Sequence, residues 1–164
     1  MRNKETGNDS MTQHQKRVLS WGITFLWMAL IFYLSSQPAT ESRELSRGIA
    51  VRVAEILDRL VPQADIDFRS LHGMLRKQAH FWAYLVLGPL VLNALKQSGV
   101  KGRRAVVLGL AISVVYAITD EIHQTFVPGR SGEVFDVVID TAGAATGMAL
   151  YGLMGWIRRK KRLE

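Results

Sequence analysis

The stretch Thr119-Asp120-Glu121-Ile122-His123-Gln124-Thr125-Phe126-Val127-Pro128-Gly129-Arg130 decides how this chain is read. An apolar run, Ala105 to Ile118, leads straight into it, and another begins soon after, at Val137. Asp120, Glu121 and His123 therefore stand together at the rim of an apolar helix. Charges at such a place are expensive and usually carry a task. The remaining segments are read by which of them can meet these groups.

Four apolar blocks read as transmembrane helices: Val18 to Leu34, Ala79 to Leu95, Ala105 to Thr119 and Val137 to Ile157. Each approaches the roughly 20 residues a bilayer demands, two of them only when their polar ends are counted. The first has the basic lead-in of a signal peptide, Lys16 and Arg17. It is bulky throughout, however, with Trp21 and Trp27, and ends at Ser35-Ser36-Gln37-Pro38 without a small-residue cleavage site, so it reads as a retained span. A soluble helical bundle is the alternative. The weight of Leu, Val, Ile, Trp and Gly in the blocks, and the basic residues flanking them, argue against it.

At 164 residues the chain reads as one membrane domain, 18–157, between an N-terminal tail, 1–17, that is disordered or cytoplasmic and a basic cytoplasmic tail, 158–164. The absence of cysteine excludes disulfides and a thiol nucleophile. The net charge of +7 is concentrated in three places: the N-terminal tail, the turn holding Lys96, Lys101, Arg103 and Arg104, and the run Arg158 to Arg162. With four spans these share one side, which the positive-inside rule makes the cytoplasm. The charge is then accounted for by topology and anionic lipid, and no nucleic acid is needed. The Ser35–Gln78 loop, whose Glu and Asp residues offset most of its basic ones, lies outside.

This arrangement brings the polar ends of all four spans to one extracytoplasmic rim. At about 100° per residue, Arg76, Lys77, His80 and Tyr84 share a face of the second span. Ser113, Tyr116, Asp120, His123 and Gln124 form a stripe on the third, with Glu121 at its edge. Asp136, Asp140, Gly143 and Gly147 share a face of the fourth, and Gly143-x-x-x-Gly147 admits a close neighbour. Pro128-Gly129 signals a type II turn, and Phe126-Val127 can dip back toward the membrane. Arg130 either neutralises Asp136 or Glu133 or binds an anionic head group. In the first loop, Thr40 or Ser42 caps a helix running to about Val61, with Ile49, Val53, Ile56, Leu57 and Leu60 on one stripe. It suits the outer membrane interface or an ordinary packed surface. Asp67 caps a helix continuing through Arg76.

Three elements carry a family resemblance: Ser35-Ser36-Gln37 after the first span; Arg76-Lys77-x-x-His80-Phe81-x-x-Tyr84 entering the second; and Asp120-Glu121-x-His123-Gln124-x-Phe126-x-Pro128-Gly129-Arg130 followed by Asp136-x-x-x-Asp140-x-x-Gly143. Together they resemble the VanZ-like family of small bacterial integral membrane proteins, over nearly the whole chain past its N-terminal tail. Asp140 stands where that family often has Asn. The resemblance implies a role in the cell envelope and, from the founding member, tolerance to teicoplanin-type glycopeptide antibiotics. It supplies no settled biochemical activity. A phosphotransbutyrylase label attached to some members implies cytoplasmic chemistry, whereas the polar groups here face outward.

Three readings of these residues stand side by side. In the first, Asp120, Glu121, His80, His123, Asp136 and Asp140 form the catalytic group of an enzyme acting on a lipid or lipid-linked cell-wall substrate. Arg76, Lys77, Gln124, Arg130, Ser36, Gln37 and Tyr84 then bind that substrate. A divalent metal held by Asp120, Glu121, His123, His80 and Asp136 is a variant, although the chain lacks a paired motif such as H-E-x-x-H. In the second, the protein is not an enzyme and captures a lipid head group or glycopeptide at the outer surface. In the third, the charges form a buried ion-pair network with no chemistry.

Overall fold

The computed structural model describes residues 11–40, 48, 51–52 and 68–162, and at 68–72 the backbone alone. It is all-helical. The helices are α1, Gln13–Ser35; α2, Phe68–Gln97; α3, Gly102–Gln124; and α4, Val134–Lys160. Each extends past its apolar block at one end or both. α1 starts ahead of Val18 because Thr12 and Gln15 form a capping box, each side chain bonding to the other's backbone N–H. α2 already runs from Phe68, well before Arg76, whereas Asp67 lies outside the described residues.

Among the described residues, three helices, α1, α3 and α4, are long and apolar enough to cross a membrane. At 23, 23 and 27 residues they measure about 35–40 Å, against a hydrocarbon core of about 30 Å. α2, which carries Arg76, Lys77 and His80 in its first half, does not meet that standard. Instead it is wrapped by the other three, and Tyr84, Leu87, Val91, Leu92, Ala94 and Leu95 are all buried. The outer surface is apolar: Leu26, Val107, Val115 and Leu153 are more than half exposed, while Asp120, Asp136 and Asp140 are completely covered. This inversion of the soluble pattern suits a bundle whose solvent is lipid. The amphipathic helix expected up to Val61 falls almost wholly outside the described residues. At its start Ala39 and Thr40 are already helical, so Thr40 is not the cap.

The helices alternate in direction. The start of α1 meets the end of α2, where the Gln13 side chain donates to the Gln97 carbonyl at 3.1 Å. The end of α1 meets the end of α3, where Ser35 touches Asp120. Between these ends, polar groups join the helices. Trp27 Nε1 donates to the Ala83 carbonyl at 2.9 Å. The Asn93 amide donates to Ser20 Oγ at 3.2 Å and accepts from the Tyr151 hydroxyl at 3.1 Å. Where no water competes, such bonds hold helices in register.

The closest contact is between α2 and α4, as the glycine spacing led us to expect. A Cβ on Gly143 would strike the Phe81 carbonyl oxygen, and one on Gly147 the Leu85 carbonyl oxygen. In return, a Cβ on Gly88 would strike the Ala144 carbonyl. The backbones meet directly, and that contact carries Asp136 and Asp140 of α4 up to Arg76, Lys77 and His80 of α2.

Candidate functional site

The polar ends of all four helices converge at one end of the bundle. Asp120, on α3, is fully buried and receives the Ser35 hydroxyl at 2.8 Å and the Gln124 amide at 3.3 Å, both on Oδ2. The same Gln124 amide donates to Glu121 Oε1 at 3.2 Å. Glu121 Oε2 accepts the backbone N–H of Glu133 at 2.9 Å, which ties α3 to the start of α4. His80 of α2 turns Nδ1 toward Asp140 of α4, 3.4 and 3.5 Å from its two oxygens. His80, Asp120 and Glu121 each bring one donor atom into a group whose members lie within 4.8 Å of one another.

Beside this group runs a second, outer network. Arg76 Nη2 lies 3.0 Å from Asp136 Oδ2 and 3.4 Å from Glu133 Oε1. Lys77 Nζ lies 3.1 Å from Glu133 Oε2 and 3.6 Å from Asp136 Oδ1, and sits over the Phe135 ring. The hydrogen bond from Lys77, together with the positive charge of both bases, holds the Glu133 carboxyl below its ordinary range. Two bases against two acids make this rim nearly neutral within itself.

The connection between α3 and α4 forms the mouth. Val127 accepts the Arg130 N–H at 3.1 Å around Pro128-Gly129, and Gly129 has φ of 74°, the type II geometry the sequence signals. Val127 turns inward and is buried, whereas Phe126 is 81% exposed.

Several assignments are refined. Arg130 pairs with neither Asp136 nor Glu133, which α2 has taken. Its guanidinium donates to Gln124 Oε1 and to the Leu34 carbonyl, both at 3.3 Å, and its Nε is buried without a partner among the described residues. Within the Ser35-Ser36-Gln37 element it is Ser35 that reaches the acids. Ser36 and Gln37 bond back to the Tyr33 carbonyl and finish α1. His123 stacks on Phe32 with ring centroids 4.1 Å apart, at the border of the buried face, while Glu121 lies well inside it. The expected stripe on α3 was thus rotated. Its true centre is set by the small residues Ala105, Gly109, Ser113 and Ala117, a four-residue repeat visible in the sequence that marks where neighbours approach. Tyr84 is fully buried one turn beyond His80, and its hydroxyl has no partner among the described residues.

Chemically, the inner group offers buried carboxylates and one imidazole, and the mouth offers a guanidinium that, among the described residues, hydrogen-bonds only to neutral oxygens. The VanZ/LLP1 family model matches residues 20–155. None of the curated proteins and none of the solved structures matches the chain. Since the family match reaches into all four helices and takes in every residue of both networks, this chain belongs to the VanZ/LLP1 family.

Proposed function

We propose that the protein is a four-span component of the bacterial cytoplasmic membrane, both termini in the cytoplasm, whose polar end faces outward and acts on an anionic lipid or lipid-linked cell-wall substrate. The observation that carries this reading is Arg130. It is a half-buried guanidinium in the loop over the acid–histidine group, with no acid in ion-pair contact among the described residues. A phosphate or pyrophosphate head group supplies the bidentate partner that such a guanidinium takes. Phe126, Val134 and Phe135, all exposed beside the mouth, suit the acyl chains of the same molecule.

The orientation rests on charge. Lys16, Arg17, Lys96, Lys101, Arg103, Arg104 and the run Arg158 to Arg162 belong to the end of the bundle opposite the site. α2 makes the fourth span because its polar stretch is shielded by the three helices around it. A fluorescent protein fused after Glu164 will glow, whereas alkaline phosphatase fused there will be inactive. The reverse pattern would turn the site toward the cytoplasm and end this proposal.

The catalytic reading predicts that expression changes a lipid or peptidoglycan-precursor pool severalfold. Glu121→Gln and His80→Ala will each return that pool to the level without the protein, with equal amounts still in the membrane. Tolerance to a teicoplanin-type glycopeptide, where present, will be lost with them. If both variants behave as wild type, the site is not catalytic. Saturable binding of a labelled precursor by purified protein, with no product by mass spectrometry, would make this a capture protein instead.

A further inference from the structure

We propose that His80, Asp120 and Glu121 bind a divalent transition-metal cation, and that Asp140 orients the imidazole from behind. The three donor atoms lie within 4.8 Å of one another and come from two helices, α2 and α3, that the bundle holds side by side. Metal–ligand bonds of about 2.0–2.2 Å place neighbouring ligands roughly 3–4 Å apart, so small side-chain movements close the site.

His80 has the arrangement metal-ligating histidines use. Its Nδ1 faces the Asp140 carboxylate, which leaves Nε2 as the ring atom for a metal and fixes the tautomer that exposes its lone pair. Asp120 is poised in the same way. Ser35 and Gln124 saturate Oδ2, while Oδ1 is buried with no partner among the described residues. Each oxygen of Glu121 accepts a single hydrogen bond among the described residues and keeps a lone pair free.

The charge balance points the same way. Asp120, Glu121 and Asp140 are buried, and among the described residues none is in ion-pair contact with Arg or Lys. The nearby bases Arg76 and Lys77 are directed instead to Glu133 and Asp136. Three carboxylates and one imidazole sealed from water need a cation or protons to remain there.

A second, independent observation is Tyr84. Its side chain is fully buried one helical turn from His80, and its hydroxyl has no partner among the described residues. A water or hydroxide on the metal is the partner that such an orphaned hydroxyl fits. One nitrogen and two carboxylate oxygens suit Zn²⁺ or Mn²⁺ better than Cu⁺, which seeks sulfur.

The proposal does not depend on the lipid substrate, and a titration with metal alone reads it. Full-length protein in detergent is stripped with chelator, exchanged into chelator-free buffer and titrated with Mn²⁺, followed by electron paramagnetic resonance, and with Zn²⁺, followed by calorimetry. The expected result is one ion per chain and a higher thermal midpoint in its presence. Asp120→Asn and His80→Gln will lose that ion, Asp140→Asn will weaken it about 10–100-fold, and His14→Gln, at the exposed start of α1, will leave it unchanged. Circular dichroism verifies the fold of each variant, and Asp140→Asn, which spares all three ligands, carries the test if the others unfold. Absence of binding at submillimolar metal, or equal binding by wild type and the Asp140 variant, overturns the proposal in favour of a proton-held network. Metal binding without any change in lipid or precursor pools would instead remove only the substrate reading above.

Discussion

Gly147→Ala is expected to lower the thermal midpoint of the detergent-solubilised protein by several degrees, a large effect for a single methyl group. The new Cβ would collide with the Leu85 carbonyl and come within 2.8 Å of the Pro89 ring. Neither is the end of a flexible side chain. Pro89 has no N–H to return to the Leu85 carbonyl four residues earlier, so the regular helical bond to the carbonyl facing Gly147 is missing. Relief requires α2 and α4 to separate, at a cost of about 1–3 kcal/mol. Gly143→Ala will act in the same direction, and with both changes Asp136 and Asp140 withdraw from Arg76 and His80. Gly152→Ala is the internal control. Nothing lies within 4 Å of its Cβ position, so that variant will be neutral or stabilised by about 0.5–1 kcal/mol through better helix propensity. Thermal denaturation of the three proteins side by side checks this, and equal midpoints would mean that the helices do not touch there.

Arg76→Met is expected to destabilise the protein by about 3 kcal/mol, the lower end of what breaking a buried ion pair costs. Asp136 is almost completely covered, with 1% of its side chain exposed, and Arg76 is its 3.0 Å partner. Lys77 remains 3.6 Å from the other oxygen and supplies partial compensation. Asp136→Asn removes the stranded charge, so the double variant will be more stable than the sum of the single changes predicts, by about 1–3 kcal/mol. Strict additivity would show that the pair contributes no coupling. The loss also differs in kind from that of Glu121→Gln. The first is read as unfolding, the second as lost function in a folded protein, because the rim holds helices together whereas the inner group is the one proposed to meet a ligand.

The sequence by itself determined the apolar blocks, the rim on which polar groups from four helices meet, the Pro128-Gly129 turn and the tight seam at Gly143 and Gly147. These are local or periodic properties. Block length follows from hydropathy, turn type from the conformations Pro and Gly allow, and close approach from the missing Cβ. The family was legible for the same reason, since its motif residues occur at fixed spacing along the chain.

Only the tertiary structure decided how those groups pair. Arg130 could be matched on paper with Asp136 or Glu133, yet α2 reaches both acids first and Arg130 turns to Gln124 and Leu34. Ser35, Ser36 and Gln37 are equivalent by position, but the rotation of α1 sends only Ser35 to Asp120. His123 and Glu121 lie two residues apart on one helix, and which of them points inward depends on where the small residues of α3 let its neighbours come close. Pairing among charges at one depth is set by helix rotation to within a few tens of degrees. That rotation is fixed by packing between segments far apart in the chain, which no local pattern records.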